Sequence, residues 1–135
     1  MNELQITTRM RVQAGRLEQF KRQARECIRQ AASKDIGILR YDWFISRDGT
    51  MCEVREAYSG SDAFLLHRAN LSEAVDRLFG GFVEEHVTTA YGAPSPQLVR
   101  LAHILGSQVT WYSLFEALGR RYPDTAVHHD VIREV

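Results

Sequence analysis

The chain has 135 residues, a length that makes one domain with a core of moderate size. Apolar residues make up 44% and charged residues 25%, the balance of an ordinary globular protein. Seventeen basic residues match seventeen acidic ones, and zero net charge argues against nucleic acid as a partner, because displacing counterions needs a basic face.

Residues 4–12 alternate as a strand, with Leu4, Ile6, Met10 and Val12 on one face and Gln5, Thr7, Arg9 and Arg11 on the other. Ala14-Gly15 then turns the chain into an amphipathic helix over 16–33, whose stripe is Leu17, Phe20, Ala24, Cys27, Ile28 and Ala31. Gly37 supplies the turn that ends it. A hairpin follows over about 38–58, its strands read from Leu39, Tyr41, Trp43, Ile45 and from Cys52, Val54, Glu56, Tyr58. Asp48-Gly49 between them predicts a type I′ turn, in which both central residues take positive φ.

Ser59 or Ser61 is placed to cap a helix from Asp62 to about Arg68, and Asp62 suits its first turn. His67 lies three residues after Phe64 and four before Leu71, which puts it on the buried stripe. A further helical segment reads from Leu71 to Phe79 and stops at Gly80-Gly81. Residues 82–91 return as a strand, with Val83, Val87 and Tyr91 on one face and Glu84, His86 and Thr88 on the other. The order β-α-β-β-α-β is the ferredoxin-like split pattern, an α+β fold with an antiparallel sheet.

Beyond it, Ser95-Pro96 is an N-cap followed by a first-turn proline. A helix over 97–105 is expected to turn Leu98, Leu101 and Leu105 inward. A fifth strand fits 108–113, a last helical turn or two fits Leu114–Arg121, and the chain from Tyr122 is polar and unpatterned. The division expected is a domain over 1–113, including an extension at 94–113 that contacts a second copy, and a tail over 114–135.

A split βαβ unit covers one face of its sheet with helices and leaves the other bare. Arg9, Arg11, Arg40, Asp42, Phe44, Glu53, Arg55 and His86 are read onto that bare face. Two such faces packed on a two-fold axis would hide each other, so a homodimer is expected, and the neutral surface offers little repulsion against it. Cys27 and Cys52 show neither CxxC nor metal-ligand spacing and read as buried free thiols. Arg9 and Arg11 interrupt any signal-peptide apolar run, and no stretch approaches a membrane span, so the expected setting is cytoplasmic with no membrane partner.

Several motifs carry a family resemblance over roughly residues 4–113. They are Val12-Gln13-Ala14-Gly15-Arg16, Gly37-Ile38-Leu39-Arg40-Tyr41 as G-x-L-x-Y, and Glu56-Ala57-Tyr58 followed by Ala63 through His67 as A-x-x-x-H. Tyr91-Gly92-Ala93-Pro94-Ser95-Pro96 resembles the tail of some quinol monooxygenases. The chain thus resembles the antibiotic biosynthesis monooxygenases of the dimeric α+β barrel superfamily. The resemblance implies a monooxygenase with no bound cofactor, acting on a small aromatic quinol or polyphenol with molecular oxygen. It also admits relatives that degrade haem, isomerise a substrate or only bind a small molecule.

Such chemistry needs a base, hydrogen-bond donors and aromatic walls, because the substrate itself is the reductant. His67 is the first base to consider, since imidazole titrates near neutral pH, and its structural alternative is a core histidine satisfied by a carboxylate such as Glu56. Tyr58 and His86 are the further acid–base candidates. Trp43, Tyr41, Arg40 and Tyr91 are the substrate-binding candidates, against the plainer roles of core aromatics, cross-strand ion pairing and a strand-end tyrosine. His128-His129-Asp130 lacks further ligands at suitable spacing, so no metal site is expected. Haem held by His67 or His86 is the lesser alternative, without a c-type motif. No GxSxG, GxGxxG or Walker pattern supports a nucleophilic serine, a dinucleotide or a nucleotide.

Overall fold

The computed structural model describes residues 3–34 and 36–119. Its elements in chain order are β1 (Leu4–Val12), α1 (Leu17–Lys34), β2 (Ile38–Ile45), β3 (Met51–Tyr58), α2 (Ser61–Phe82), β4 (Val83–Gly92), α3 (Pro96–Ile104) and β5 (Val109–Tyr112). The strands form one sheet in the order β2-β3-β1-β4-β5. The first four are antiparallel, and β5 runs parallel to β4 at the edge.

Strand β1 is central, and its strict alternation decides which face is the core. Leu4, Ile6, Thr8, Met10 and Val12 are buried beneath the helices. Register carries that face to Tyr58, Glu56, Val54 and Cys52 on β3, opposite Leu4, Ile6, Thr8 and Met10. Against it α1 buries Phe20, Ala24, Cys27 and Ala31, and α2 buries His67, Leu71, Ala74, Val75 and Leu78. Each large side chain among these contributes about 1.5–3 kcal/mol by leaving water. The Gln23 side-chain amide donates to the Ala74 carbonyl at 3.0 Å and ties the two helices together.

Six details differ from the sequence reading. Helix α2 is one element of 22 residues that passes through Asn70 and Gly80-Gly81. Leu71, Ala74, Val75 and Leu78 prolong the stripe of His67, and that burial outweighs the roughly 1 kcal/mol each helical glycine costs. Its N-cap is Gly60, with no side-chain cap; the Ser61 hydroxyl oxygen instead accepts from the Ser95 N–H at 2.8 Å. The hairpin turn is wider than a type I′ pair. Gly49 alone has positive φ (+74°), and its N–H donates to the Ser46 carbonyl at 2.9 Å. Asp48 keeps ordinary φ because its carboxylate accepts from the Ser46 hydroxyl and from both the N–H and the hydroxyl of Thr50, which sets the turn another way.

The remaining differences concern faces. His86 lies opposite Met10 and so belongs to the helix-covered face, not the bare one. The bare face is made instead by Arg9 and Arg11, Arg40, Asp42 and Phe44, Glu53 and Arg55, with Val87 and Tyr91 from β4. Helix α3 does start at Ser95, whose hydroxyl oxygen accepts from the Leu98 N–H at 3.1 Å, but it buries only Leu98 and leaves Leu101 and Leu105 exposed. Residues 113–118 follow β5 without regular structure, where a helical turn was expected. The segment from Tyr122 and the His128-His129-Asp130 cluster lie outside the described residues.

Candidate functional site

Three elements bring acid–base and aromatic groups to one point beneath the sheet. Strand β2 contributes Tyr41 and Trp43, strand β3 contributes Glu56 and Tyr58, and the first turns of α2 contribute Phe64 and His67. Register places Tyr41 opposite Glu56 and Trp43 opposite Val54, so all four strand residues point to the helix side. The helical spacing of Phe64, His67 and Leu71 then turns the imidazole onto them.

His67 is 3% exposed. Its Nε2 lies 3.8 Å from Glu56 Oε1, and the Glu56 side chain is 11% exposed. The Tyr58 hydroxyl donates to the same carboxylate oxygen. Tyr41 presents an edge to the imidazole at 4.8 Å between ring centroids, and the Tyr58 ring is tilted against it at 5.4 Å. Phe64 stacks on it at 6.5 Å. Trp43 continues the aromatic wall, edge-on to Tyr41 at 5.5 Å and tilted to Phe20 at 6.3 Å.

One atom in this wall is out of balance. Trp43 Nε1 is buried and has no hydrogen-bond partner among the described residues. An unsatisfied buried donor costs about 1–3 kcal/mol, and a finished apolar core would place a phenyl ring there at no such cost.

The other sequence candidates fall elsewhere. Arg40 and Tyr91 sit on the bare face, where they line a hollow of about 200 Å3 with Gln5, Thr7, Glu53, Arg55 and Glu56. The Arg40–Asp42 and Arg55–Glu53 pairs there, at 3.4 and 3.8 Å, are exposed, and such pairs are worth at most about 1 kcal/mol. Arg40 and Tyr91 thus lie on the other face of the sheet from His67, and Glu56 is shared by the hollow and the His67 cluster. His86 is at the opposite end of β1 from the cluster, exposed, with its ring against Phe79 at 4.6 Å. Among the sequence candidates, the structure brings together His67, Tyr58, Tyr41 and Trp43.

Glu56 is the member that the list of candidates lacked, having been considered only as a partner for histidine. Its signal was present: it is the single charged residue on the core face of β3, between Val54 and Tyr58. The His67 site does not fit a haem. The His67 ring is enclosed by Tyr41, Tyr58 and Phe64, which leaves no face for a macrocycle. Among the described residues no three His, Cys, Asp or Glu side chains group as metal ligands.

A carboxylate beside an imidazole stabilises the imidazolium formed when the ring takes up a proton, and a phenol beside the carboxylate fixes its orientation. The cluster thus sets a base, a carboxylate and a phenol within one buried aromatic enclosure.

No family model matches the chain, and neither does any curated protein. Solved structures do match. MupZ from Pseudomonas fluorescens is 20% identical, with a TM-score of 0.75, over 91% of this chain and 98% of its own. SnoaB, a cofactor-independent oxygenase from Streptomyces nogalater, is 16% identical, with a TM-score of 0.59, over 70% of this chain and 96% of its own. A candidate antibiotic biosynthesis monooxygenase from Nitrosomonas europaea is 21% identical, with a TM-score of 0.60, over 70% and 93%. At these identities the likeness establishes the fold: the chain has the ferredoxin-like α+β fold that proteins named antibiotic biosynthesis monooxygenases share.

Proposed function

We propose that the chain is a monooxygenase without a resident cofactor, oxidising a small aromatic quinol or polyphenol with molecular oxygen. The observation that carries this reading is the buried, partnerless N–H of Trp43, one ring away from the His67–Glu56 pair. A phenolate oxygen in that position would complete the hydrogen bond that the folded chain leaves open. The fold shared with a protein named as a cofactor-independent oxygenase supports the same reading.

On this reading His67 takes a proton from the bound phenol, and the anion forms against the Trp43 N–H. The anion passes one electron to oxygen, and the resulting radical pair combines into a carbon-bound peroxide. That peroxide takes the proton back from the imidazolium and loses water that carries away the one hydrogen on that ring carbon, leaving a carbonyl there. One oxygen atom enters the product and the other leaves as water. Tyr41, Trp43 and Phe64 keep bulk water from the anion.

The cluster is closed over by its own side chains, which is what a purely structural histidine would also give. Substrate therefore has to displace a wall, and Tyr41 and Trp43, half-buried on the edge strand β2, are the wall with most room to move. Oxygen uptake without added cofactor, over a panel of hydroquinones, naphthols and anthrones, tests the reading. Uptake above the autoxidation blank, lost in His67→Ala at unchanged secondary structure, is the expected result. A stable His67→Ala protein with undiminished uptake removes His67 as the base.

A second reading has a specific observation behind it. Tyr58 and His67 share one carboxylate oxygen, so a donor and an acceptor stand side by side, as an isomerase needs to remove and return a proton. Turnover that persists without oxygen would favour it.

A further inference from the structure

Strand register sets four side chains in one row across the bare face: Arg40 on β2, Ala57 on β3, Gln5 on β1 and Tyr91 on β4. The next row is Asp42, Arg55, Thr7 and Thr89. Ala57 and Thr7 are short side chains between long ones, and the face dips there. The dip is the hollow of about 200 Å3, walled by Arg40, Arg55, Gln5, Glu53 and Tyr91. Its volume is the space of about six waters. Sites that enclose drug-sized ligands run to roughly 300–1,000 Å3, so a molecule of a few carbon atoms fits here and a polyphenol of several rings does not.

The charges of the lining select an anion. Arg40 stands 3.4 Å from Asp42, and Arg55 stands 3.8 Å from Glu53. Charge-assisted hydrogen bonds are shorter, about 2.7–2.9 Å, so neither guanidinium fork is closed on its neighbour. Both pairs are partly exposed and therefore weak, and a ligand can compete for them. Arg9 lies opposite Glu53 on β1, so Glu53 keeps a cation beside it when Arg55 turns to a ligand. Glu56 also borders the hollow, but its Oε1 accepts the Tyr58 hydroxyl and faces His67. Around the dip, then, Arg9, Arg40 and Arg55 stand against Asp42 and Glu53, a surplus of one positive charge.

The neutral part of the lining is polar. The Gln5 amide, the Thr7 hydroxyl and the Tyr91 phenol each offer a hydrogen bond to a second polar group on the same small ligand.

We infer that this hollow binds a small hydroxycarboxylate monoanion, with its carboxylate in the forks of Arg40 and Arg55 and its hydroxyl toward Gln5 and Thr7. The site is across the sheet from the His67 cluster, and the inference does not rest on the chemistry proposed there.

Titration of the isotope-labelled full chain with L-lactate, followed by nuclear magnetic resonance, tests it. Saturable shifts are expected at Gln5, Arg40, Arg55 and Tyr91, with the Trp43 indole signal unmoved. Lactamide has nearly the same shape without the charge and should bind about tenfold more weakly or worse, the worth of hydrogen bonds to a charged group. Arg55→Gln should cost about as much. Arg40→Lys keeps the charge but loses the planar fork, and should weaken binding severalfold. Arg22→Gln, on the exposed side of α1, is the control and should change nothing. All these positions are at the surface, so circular dichroism should show unchanged helix content.

Lactate binding that survives Arg55→Gln overturns the inference, and so does lactamide binding as tightly as lactate. Saturable shifts centred on the Trp43 indole overturn it by placing the acid in the other pocket. Chloride or phosphate binding equally well at the same residues overturns the choice of a hydroxycarboxylate. Absence of saturable binding overturns the whole, including the case where side chains of a second copy fill the hollow.

Discussion

One oxygen atom of Glu56 serves both Tyr58 and His67. Oε1 accepts the phenolic hydrogen of Tyr58 and stands 3.8 Å from the imidazole Nε2. A proton arriving at His67 thus meets a carboxylate whose orientation is already set by a residue that is itself fully buried. The pairing has different consequences for stability and for activity, and substitutions can separate them.

Glu56→Gln retains an oxygen for the Tyr58 hydroxyl but removes the charge opposite the imidazole. It should leave the melting temperature within a few degrees and lower kcat at least tenfold. Tyr58→Phe should do the reverse. Losing a hydrogen bond to a charged group costs about 1.5–3 kcal/mol of stability. Chemical denaturation alongside steady-state kinetics measures both.

Trp43→Phe keeps an aromatic ring and deletes the partnerless N–H. Unfolding free energy should change by less than about 1 kcal/mol, because deleting an unsatisfied donor offsets the smaller ring. Affinity for a phenolic substrate analogue should fall about tenfold to a hundredfold, the worth of a hydrogen bond to an anion. A loss of stability without a loss of affinity would make Trp43 a core residue only.

Burial, with smaller help from Glu26, raises the Cys27 thiol to about 11; burial, with help from Glu53, raises Cys52 to about 12. Neither thiol should react with a disulfide reagent at neutral pH until the chain unfolds. The sign of the linkage follows from the raised values. An unfolded thiol loses its proton near pH 8.5 while the folded one keeps it, so stability is full below that pH and falls as pH rises toward 11. Thermal melts across that window, with Cys27→Ala and Cys52→Ala as references, check the slope.

Gly92 has φ +124°, and a Cβ built there would stand 2.6 Å from the Glu3 carbonyl oxygen. Backbone cannot swing aside as a side-chain end can. Gly92→Ala should therefore cost about 1–3 kcal/mol, read as a lowered denaturation midpoint, through strain at the β1–β4 seam.

The first four strands and α1 were legible because two periodicities spell them out: Leu4, Ile6, Met10 and Val12 alternate, and Phe20, Ala24, Cys27 and Ala31 return every turn. His67 was legible for the same reason. Gly80-Gly81 misled because local propensity favours a stop, whereas burial of Val75 and Leu78 carries the helix on. His86 misled because alternation along β4 separates two faces without saying which one the helices cover; pairing with Met10 decides that. Arg40 and Tyr91 were grouped with His67 by chemical type, and only the strand register shows that they lie on the other face of the sheet, with Glu56 between them and the imidazole.

The hydrogen bond from the Ser95 N–H to the Ser61 hydroxyl oxygen has a thermodynamic meaning beyond local satisfaction. Ser61 begins the helix that carries His67 about two turns later, and Ser95 caps the start of α3. The two helix starts share one fixed point. The start of α3 therefore cannot shift without straining the first turn of α2, and the reverse holds as well. Such coupling is reciprocal by necessity, so Ser61→Ala, which deletes the acceptor, should loosen both helix starts together, read as faster amide exchange at Ser95 and in the first turn of α2.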